Sequence, residues 1–574
     1  MAWGARLSRL LVMCCMSTVG LSDPPGSEPP ASPLTLRELM GAVLQHNESL
    51  QVKTLEVEIG RRRRLAEQGI FEPEFAAGYD HVDSSRQNTT QERASLGYTA
   101  IYAERNNIYN AGLESLVPTG AKVRLGYVLR DLRNTLQDNA VYGSGFTNGE
   151  YASFVGLNVV QPLLKNAGFA ATMAGIRLAA AASELAFHEY RKQLMIVLST
   201  AEASYWNLYL AQRQVLALQE SVEVAETVLG DNETRLKAGV GSELEVMEAR
   251  AGLALRRSKL AEAEQLLYEA HNRLTALFLD RIQAAQRRFV AVDEPQTRPR
   301  DSTFAETWPV VFDCNPDLVM QRKKLVSENI RLAYAKNQRL PQLDLKGSYG
   351  LNGLGASPGE SWSYIEEAGY PAWTVGLEFR VPLGGRKPRH DLHAARLRVE
   401  QALLSLSELE TQIASATDTA VRKVRSTREN LGQHGEVVTF NEDLLRTQLA
   451  RLEAGKVESR KVLEVEADLL NARNALAEAQ VLHQRAALEQ EFVQGTLLAS
   501  RGLEKSQPEL ESWLTVMLSE GRLDRPLYQR MVREALGVYA PAEGASPAPG
   551  DAPGAVPPGS SEAAPIKTST QASP

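Results

Sequence analysis

The sequence predicts a mainly α chain with a smaller β part, built by using one unit twice: a helix, a set of short β-strands, then a very long helical hairpin. Three observations carry this. Residues 235–266 recur without a gap 216 positions later at 451–482, with fourteen of 32 positions identical, among them Arg235/Arg451, Leu236/Leu452, Ala238/Ala454, Gly239/Gly455, Val246/Val462 and Glu248/Glu464. A second echo lies upstream, where Asn47, Leu50 and Pro73 match Asn315, Leu318 and Pro341 at an offset of 268. Finally, hydrophobic periodicity switches from helical to alternating and back at corresponding places in both halves. A repeat of 20–50 residues would read as a solenoid; a period above 200 reads as a duplicated half-domain.

The elements follow in order. Residues 34–70 carry Leu36, Leu39, Val43, Leu50, Val52, Leu55 and Ile59 at three- to four-residue spacing, a helix stopped by Pro73. Residues 71–162 turn rich in Gly, Tyr, Asn, Ser and Thr. Their clearest strand is 123–130, with apolar residues at odd positions and Arg124, Gly126 and Arg130 opposite; a less regular one, 154–160, ends at Pro162. From 166 to 286 the helical period returns. Positions 194, 198, 201, 205, 208, 212, 215, 218, 222, 225 and 229 form a 4,3 seam broken only by Gln212, as in a coiled coil. Gly239 interrupts it, and Ser242 with Glu245 three residues on reads as a capping box opening the return arm. The second half replays the order: a helix over 304–338, strands within 343–382 (with 373–381 alternating cleanly) and a hairpin over 386–500 turning near Gly455. These boundaries set the expected organisation: a first repeat over 34–290 and a second over 300–500. Residues 501–538 read as two short helices, including 510–518 and 527–536, and the Pro/Ala-rich tail 539–574 is expected to be disordered.

Composition narrows the class. The chain has 574 residues, 43% hydrophobic, with net charge −7, and no nucleic-acid surface is evident. The basic run Arg61–Arg64 sits inside a helical pattern and reads as a solvated face. Arg6 and Arg9, an apolar stretch over 10–21 and then Ser22-Asp23-Pro24-Pro25 read as a signal peptide over 1–22. Cys14 and Cys15 fall within it, and the bulky Met13 argues against a lipoprotein site. One thiol would remain, Cys314, expected to be a small buried residue. No later segment has 18 uninterrupted apolar residues, so a membrane crossing would have to be made by β-strands in a closed barrel.

Chemistry is absent from the motifs. There is no HExxH, Walker A, Rossmann or GxSxG pattern, no nucleophile–base set can be assembled, and neither cofactor nor metal is expected. His390 and His393 stand three apart without a third ligand, and the glycine-rich stretch Gly350–Gly359 reads as a loop between strands. The chain is read as non-enzymatic.

Several pieces, weak singly, recur twice in one order: Asn47-Glu48-Ser49-Leu50 and Asn315-Pro316-Asp317-Leu318; Pro73 and Pro341; Gln161-Pro162-Leu163-Leu164-Lys165-Asn166-Ala167-Gly168 and Val381-Pro382-Leu383-Gly384-Gly385-Arg386; Arg235-Leu236-Lys237-Ala238-Gly239 and Arg451-Leu452-Glu453-Ala454-Gly455. On these the chain resembles TolC-like outer-membrane efflux proteins over about 34–500. The resemblance implies a homotrimer, each protomer giving four strands to a shared twelve-stranded outer-membrane barrel continuous with a periplasmic helical barrel. It further implies a passive conduit joined through a periplasmic adaptor to an inner-membrane pump. One departure is visible: residues 71–162 hold four strand-like stretches where the family has two, so 88–150 is an enlarged loop or an extra hairpin.

By motif position the resemblance puts a gate or constriction at Glu245, Leu452, Lys461 and Glu464, and adaptor docking at the tips, Gly239, Val240 and Gly241 with Gly455, Lys456 and Val457. A ring of three Glu464 carboxylates would favour cations, with Lys461 one turn away pairing with it or reducing selectivity; a cation-preferring, low-conductance resting channel is expected. Other readings stand beside these. Glu245 is also the capping-box acid, Lys461 and Glu464 also form an ordinary surface pair, and the glycines also serve as plain turn residues. At the level of the whole chain the competing class is a periplasmic coiled-coil adaptor or structural protein without a pore; a secreted helical-repeat enzyme lacks a catalytic set.

Overall fold

A computed structural model describes residues 31–95, 98–135, 137, 149–279, 287–296, 302–454 and 456–519. The expected signal peptide with Cys14 and Cys15, the expected second helix over 527–536, the tail and Gly455 lie outside the described residues. The chain divides into two units, 1–511 and 512–574, and only 512–519 of the second are described.

The elements in chain order are β1 (Ala31–Leu34), α1 (Leu36–His46), α2 (Glu48–Gln68), β2 (Glu74–Gln87), α3 (Thr90–Ser95), β3 (Ile101–Leu116), β4 (Lys122–Leu132), β5 (Glu150–Pro162), α4 (Phe169–Thr172), α5 (Ala174–Lys237), α6 (Glu243–Thr275), β6 (Arg288–Ala291), α7 (Phe304–Cys314), α8 (Pro316–Gln338), β7 (Gln342–Gly355), α9 (Pro358–Glu366), β8 (Pro371–Arg380), α10 (Arg386–Glu453), α11 (Ser459–Gln494), α12 (Leu497–Ser500) and α13 (Gln507–Ser519). The duplication is visible in the caps. Thr35 opens α1 with a capping box to Glu38, and Thr303 opens α7 with the same box to Glu306.

The single helix expected over 34–70 is two helices broken at Asn47, and that over 304–338 is broken at Asn315. Each Asn is extended, and its side chain accepts from backbone N–H groups of the next helix, Leu50 in one and Asp317 and Leu318 in the other. Cys314 ends α7 at that break and is half-buried rather than buried. The basic run is partly paired: Arg61 and Arg62 with Glu58, and Arg61 and Arg64 with Glu511, while Arg62 and Arg63 remain exposed.

Helix α5 has 64 residues and α10 has 68, each about 100 Å at 1.5 Å per residue. They return as α6 and α11. The main core lies where α5 carries Tyr205, Trp206 and Tyr209 against Leu39 and Val43 of α1, Leu274 of α6 and Val481 of α11, beside the small parallel ribbon β1–β6. Burial pushes the Tyr205 hydroxyl up to about 12, and that hydroxyl is held by Leu34 O at 3.0 Å and the Asp293 carboxylate at 2.9 Å. Toward the tip the buried stripe of α5 passes through Leu218, Ser221, Ala225, Val228 and Asn232, one residue off the predicted positions 222 and 229. A straight helix drifts about 20° per heptad, so over this length the seam moves round the helix.

All long strands form one antiparallel sheet in the order β2-β3-β4-β5-β7-β8. Four of its six strands come from 74–162, two more per chain than the resemblance implies. The stretch over 350–355 is the end of β7 rather than a loop; Phe154 on β5 lies against Gly156 and Gly350, an aromatic ring covering glycines inside strands. One face is apolar, with the cross-strand row Phe75, Leu113, Leu125, Leu157, Tyr349 and Trp373. The other carries Arg124, Arg130, Asn158, Lys346 and Glu378. Helix α9 covers the end of the apolar face farthest from the long helices, where Ser153 Oγ donates to Ser361 O at 3.1 Å and Trp362 packs edge-on to Tyr127. Nearer the long helices Trp373 is 71% and Leu377 68% exposed, and no described residue covers them. In a water-soluble sheet the apolar face packs on the protein's own core; here the half of it nearer the long helices has no such cover among the described residues. No described helix is long and apolar enough to cross a membrane.

Candidate functional site at the hairpin tips

Both tips share one backbone solution. In the first, α5 ends at Lys237 and the amides of Val240 and Gly241 donate to Arg235 O at 3.1 Å; in the second, Lys456 N donates to Arg451 O at 2.9 Å. Gly239 has φ +73, which favours glycine, and has open space around it. Gly241 is needed for a different reason: a Cβ there would meet Leu236 N at 2.9 Å and the Arg235 carbonyl carbon at 3.0 Å. Val240 is 73% exposed at the apex. With Leu236, Leu244 and Met247 it leaves an uncovered apolar patch on the first tip. Lys456 is exposed and Val457 half-buried.

The side chains at the two tips have diverged. Ser242 caps α6, and Glu245 closes the box by accepting from Ser242 N at 3.3 Å. The equivalent positions in the second tip are Glu458 and Lys461, where no side-chain cap forms. Instead Lys461 Nζ lies 2.9 Å from Glu464, with both side chains more than half exposed. Leu452 is half-buried, one residue before the end of α10. Glu245 shares a cleft of about 260 Å³ with Glu248, Ala249, Arg460 and Leu463, between the two return arms. Lys461 and Glu464 do not line it.

Sequence reasoning missed the group that ties the hairpins together. Arg256 of α6 and Glu466 of α11 form an ion pair with side chains only 10% and 5% exposed. Arg256 Nε also donates to Ser221 Oγ of α5 at 3.0 Å, and its Nη2 to Leu463 O at 3.1 Å. The signal was present: Val246, Ala249, Leu253, Arg256, Leu260 and Ala263 keep the 3,4 spacing, and a charge on that stripe needs a partner. Farther from the tip, Arg473 bridges Glu220 of α5 and Glu442 of α10. Near the middle of α5, buried Glu202 accepts from Nη2 and Nε of Arg501 at 2.8 and 3.2 Å, while Nη1 of the same guanidinium faces Glu491 at 3.2 Å. Burial raises the Glu202 carboxyl, and Arg501 opposes the shift only in part.

Among the described residues no cluster of His, Cys, Asp or Glu could hold a metal ion, and His390 and His393 are both exposed. The tips present charge and an exposed apolar patch beside a buried ionic brace, and among the described residues no reacting set comes together there.

A family model described as "outer membrane efflux protein" matches residues 128–278 and 312–490. Among curated proteins, the proteases secretion protein PrtF of Dickeya chrysanthemi is 24% identical over 363 residues, spanning 61% of this chain and 74% of PrtF. Among solved structures, the CmeC outer membrane channel of Campylobacter jejuni is similar with TM-score 0.55 at 15% identity, over 83% of this chain and 89% of CmeC. The outer membrane protein VceC of Vibrio cholerae is similar with TM-score 0.54 at 16% identity, over 80% of this chain and 96% of VceC.

Proposed function

The chain belongs to the outer membrane efflux protein family, whose model matches more than half of it, and from that premise we propose that three copies form a passive conduit running from the periplasm to the cell exterior. The observation that carries the reading is the pairing, in one chain, of two long hairpins with an apolar sheet face that lies exposed over the half nearer the helices. In lipid that face needs no cover, while the opposite face, with Arg124, Arg130 and Lys346, suits water. Unpartnered apolar side chains on the helices, such as Val52 and Ile59 of α2 and Leu404 and Phe440 of α10, fit the contact between copies.

The tips are assigned two roles. The apolar patch around Val240, together with Gly239, Gly241, Lys456 and Val457, is the docking surface for a periplasmic adaptor that serves an inner-membrane pump. Gly455 belongs to the same surface by the repeat. Glu245, Leu452, Lys461 and Glu464 surround the narrow end of the conduit.

Planar-bilayer recording of the detergent-extracted protein, with heat-modifiable migration on denaturing gels, tests the reading. A discrete conductance from a heat-sensitive trimer is expected. A protein released without detergent, monomeric and non-conducting would favour a periplasmic coiled-coil protein without a pore.

A further inference from the structure

We propose that the three copies close a barrel of eighteen strands, β8 of each copy pairing antiparallel with β2 of the next; the proposal rests on the trimeric outer-membrane reading above.

The first support is that β3 and β4 are wall and not appendage. Strand β3 pairs with β2 from Glu74↔Glu114 to Gln87↔Ile101, and with β4 from Leu116↔Lys122 to Asn107↔Asp131. Leu113 and Leu125 of this hairpin continue the apolar face through Leu157 and Tyr349 to Trp373, and Tyr109 and Leu129 lie on the same face. The β3–β4 turn is locked into the base of the sheet. Val117 N donates to Ala121 O at 2.7 Å, Gly168 N to Thr119 O at 2.9 Å, and Thr119 Oγ1 lies 3.0 Å from Gln161. Gly120 in that turn has φ +92, and a Cβ there would lie 2.5 Å from Asn166 O.

The second support is the pair of edges. Among the described residues neither β2 nor β8 has a partner on its outer side. An open edge cannot persist in hydrocarbon, where each unsatisfied backbone group costs several kcal/mol. Strand β2 leaves the helices and β8 returns to them, so the two edges of adjacent copies run antiparallel, and six strands per copy close with an even total.

The third support is stagger. The registers place Glu74, Glu114, Arg124, Asn158, Ser348 and Thr374 in one row, yet β8 continues six residues beyond Thr374 to Arg380 at the helical end. Levelling the helical ends of neighbouring copies therefore needs a shift of about six to eight residues per copy, even so that the faces match. Eighteen strands with that shift tilt by about 35–43°, inside the usual range for such barrels. The row Ala76, Gly112, Gly126, Gly156, Gly350 and Ala372 on the polar face lets the wall bend inward across every strand. At 4.8 Å between strands and a tilt of about 40°, the backbone radius is about 18 Å, against about 12 Å for twelve strands. That radius falls within the 15–19 Å of a ring of twelve helices spaced about 8–10 Å apart. The exit would have about twice the cross-section of a twelve-stranded one.

Thiol cross-linking of the full-length chain in isolated outer membranes tests this, in a Cys314→Ser background. Leu377→Cys combined with Ala77→Cys (a shift of six) or with Tyr79→Cys (a shift of eight) is expected to give covalent trimers with a short bifunctional reagent. Leu377→Cys with Leu125→Cys should give none. Cross-linking through position 125 alone means that β4 is the edge and the wall has twelve strands; it overturns the proposal and leaves the trimer intact. A trimer on sizing that neither pair joins also overturns it. A monomer on sizing overturns the trimeric reading itself.

Discussion

Arg256 is where a single substitution should report most on the tip. Its guanidinium contacts Glu466, Ser221, Leu463 O and Gly252 O, joining the two hairpins, and both charges are nearly out of water. Substituting Met for Arg256 keeps the apolar stem but leaves the Glu466 carboxylate buried without its cation. Breaking one half of such a pair costs about 3–5 kcal/mol, whereas replacing both halves by apolar groups is often neutral. If the brace exists only with the tips closed, that loss moves the closed-to-open ratio by about two to three and a half decades, at roughly 1.4 kcal/mol per decade. Arg256→Met is therefore expected to raise open-channel dwell in planar bilayers and to lower the unfolding midpoint. Arg256→Met/Glu466→Met should recover most of the midpoint. A double-mutant cycle on urea unfolding reads the coupling directly. A coupling below about 0.5 kcal/mol, or an unchanged conductance in the single variant, refutes the brace.

Three other outcomes are expected. Lys461→Ala frees Glu464 from its partner at 2.9 Å and should increase cation preference, read as a shift in reversal potential under a salt gradient; stability should change by only a few tenths of a kcal/mol because the pair is exposed. If Glu464→Ala leaves selectivity and conductance unaltered, the constriction assignment fails. Gly241→Ala forces the tip backbone apart and should lose about 1–3 kcal/mol and adaptor capture together, whereas Val240→Ser should lose capture with stability intact. Glu202 binds its proton more tightly in the folded chain than in the unfolded one. The folded state then holds more protons, and stability falls as pH rises from the unfolded value of about 4.5 through the raised folded one. Thermal unfolding of Glu202→Gln from pH 4.5 to 7 should show a shallower decline than the parent; an identical slope removes Glu202 as its source.

What could be read from the sequence follows from which signals are local. The alternation in 123–130 and 373–381 gave strands because each residue's face is set by its own position. The sequence counts four strand-like stretches in 71–162 but does not bound β2 and β3, because Gly78, Asn106, Asn107, Asn110 and Gly112 dilute the pattern, and the stretch over 350–355 looks like a loop because Phe154, which covers Gly350, comes from β5. The breaks at Asn47 and Asn315 passed unseen because one extended residue scarcely disturbs a 3.6-residue period, although Asn before Leu was quoted as a repeat marker. The tips were found by repetition, but the Arg256–Glu466 tie was not. It depends on which faces of two separate hairpins meet, and sequence spacing within each says nothing of that.

The two tips show how duplication constrains charge at a shared end. Their backbones agree down to the carbonyl that closes the turn, Arg235 in one and Arg451 in the other. Their acids do not serve alike. Glu245 is spent on capping α6, a contact the second tip cannot make with Lys461 at the matching position, and Glu464 is met by that same Lys461. Each acid assigned to the constriction thus has a partner within its own tip, a backbone N–H for Glu245 and a cation for Glu464. The expectation of a cation-preferring ring accordingly shifts to a weak preference in the intact chain, one that becomes pronounced only when Lys461 is removed. A strong cation preference in the unsubstituted channel would locate the selecting charge elsewhere, and Glu248, exposed on the first tip and equivalent by repeat to Glu464, is the residue to substitute next.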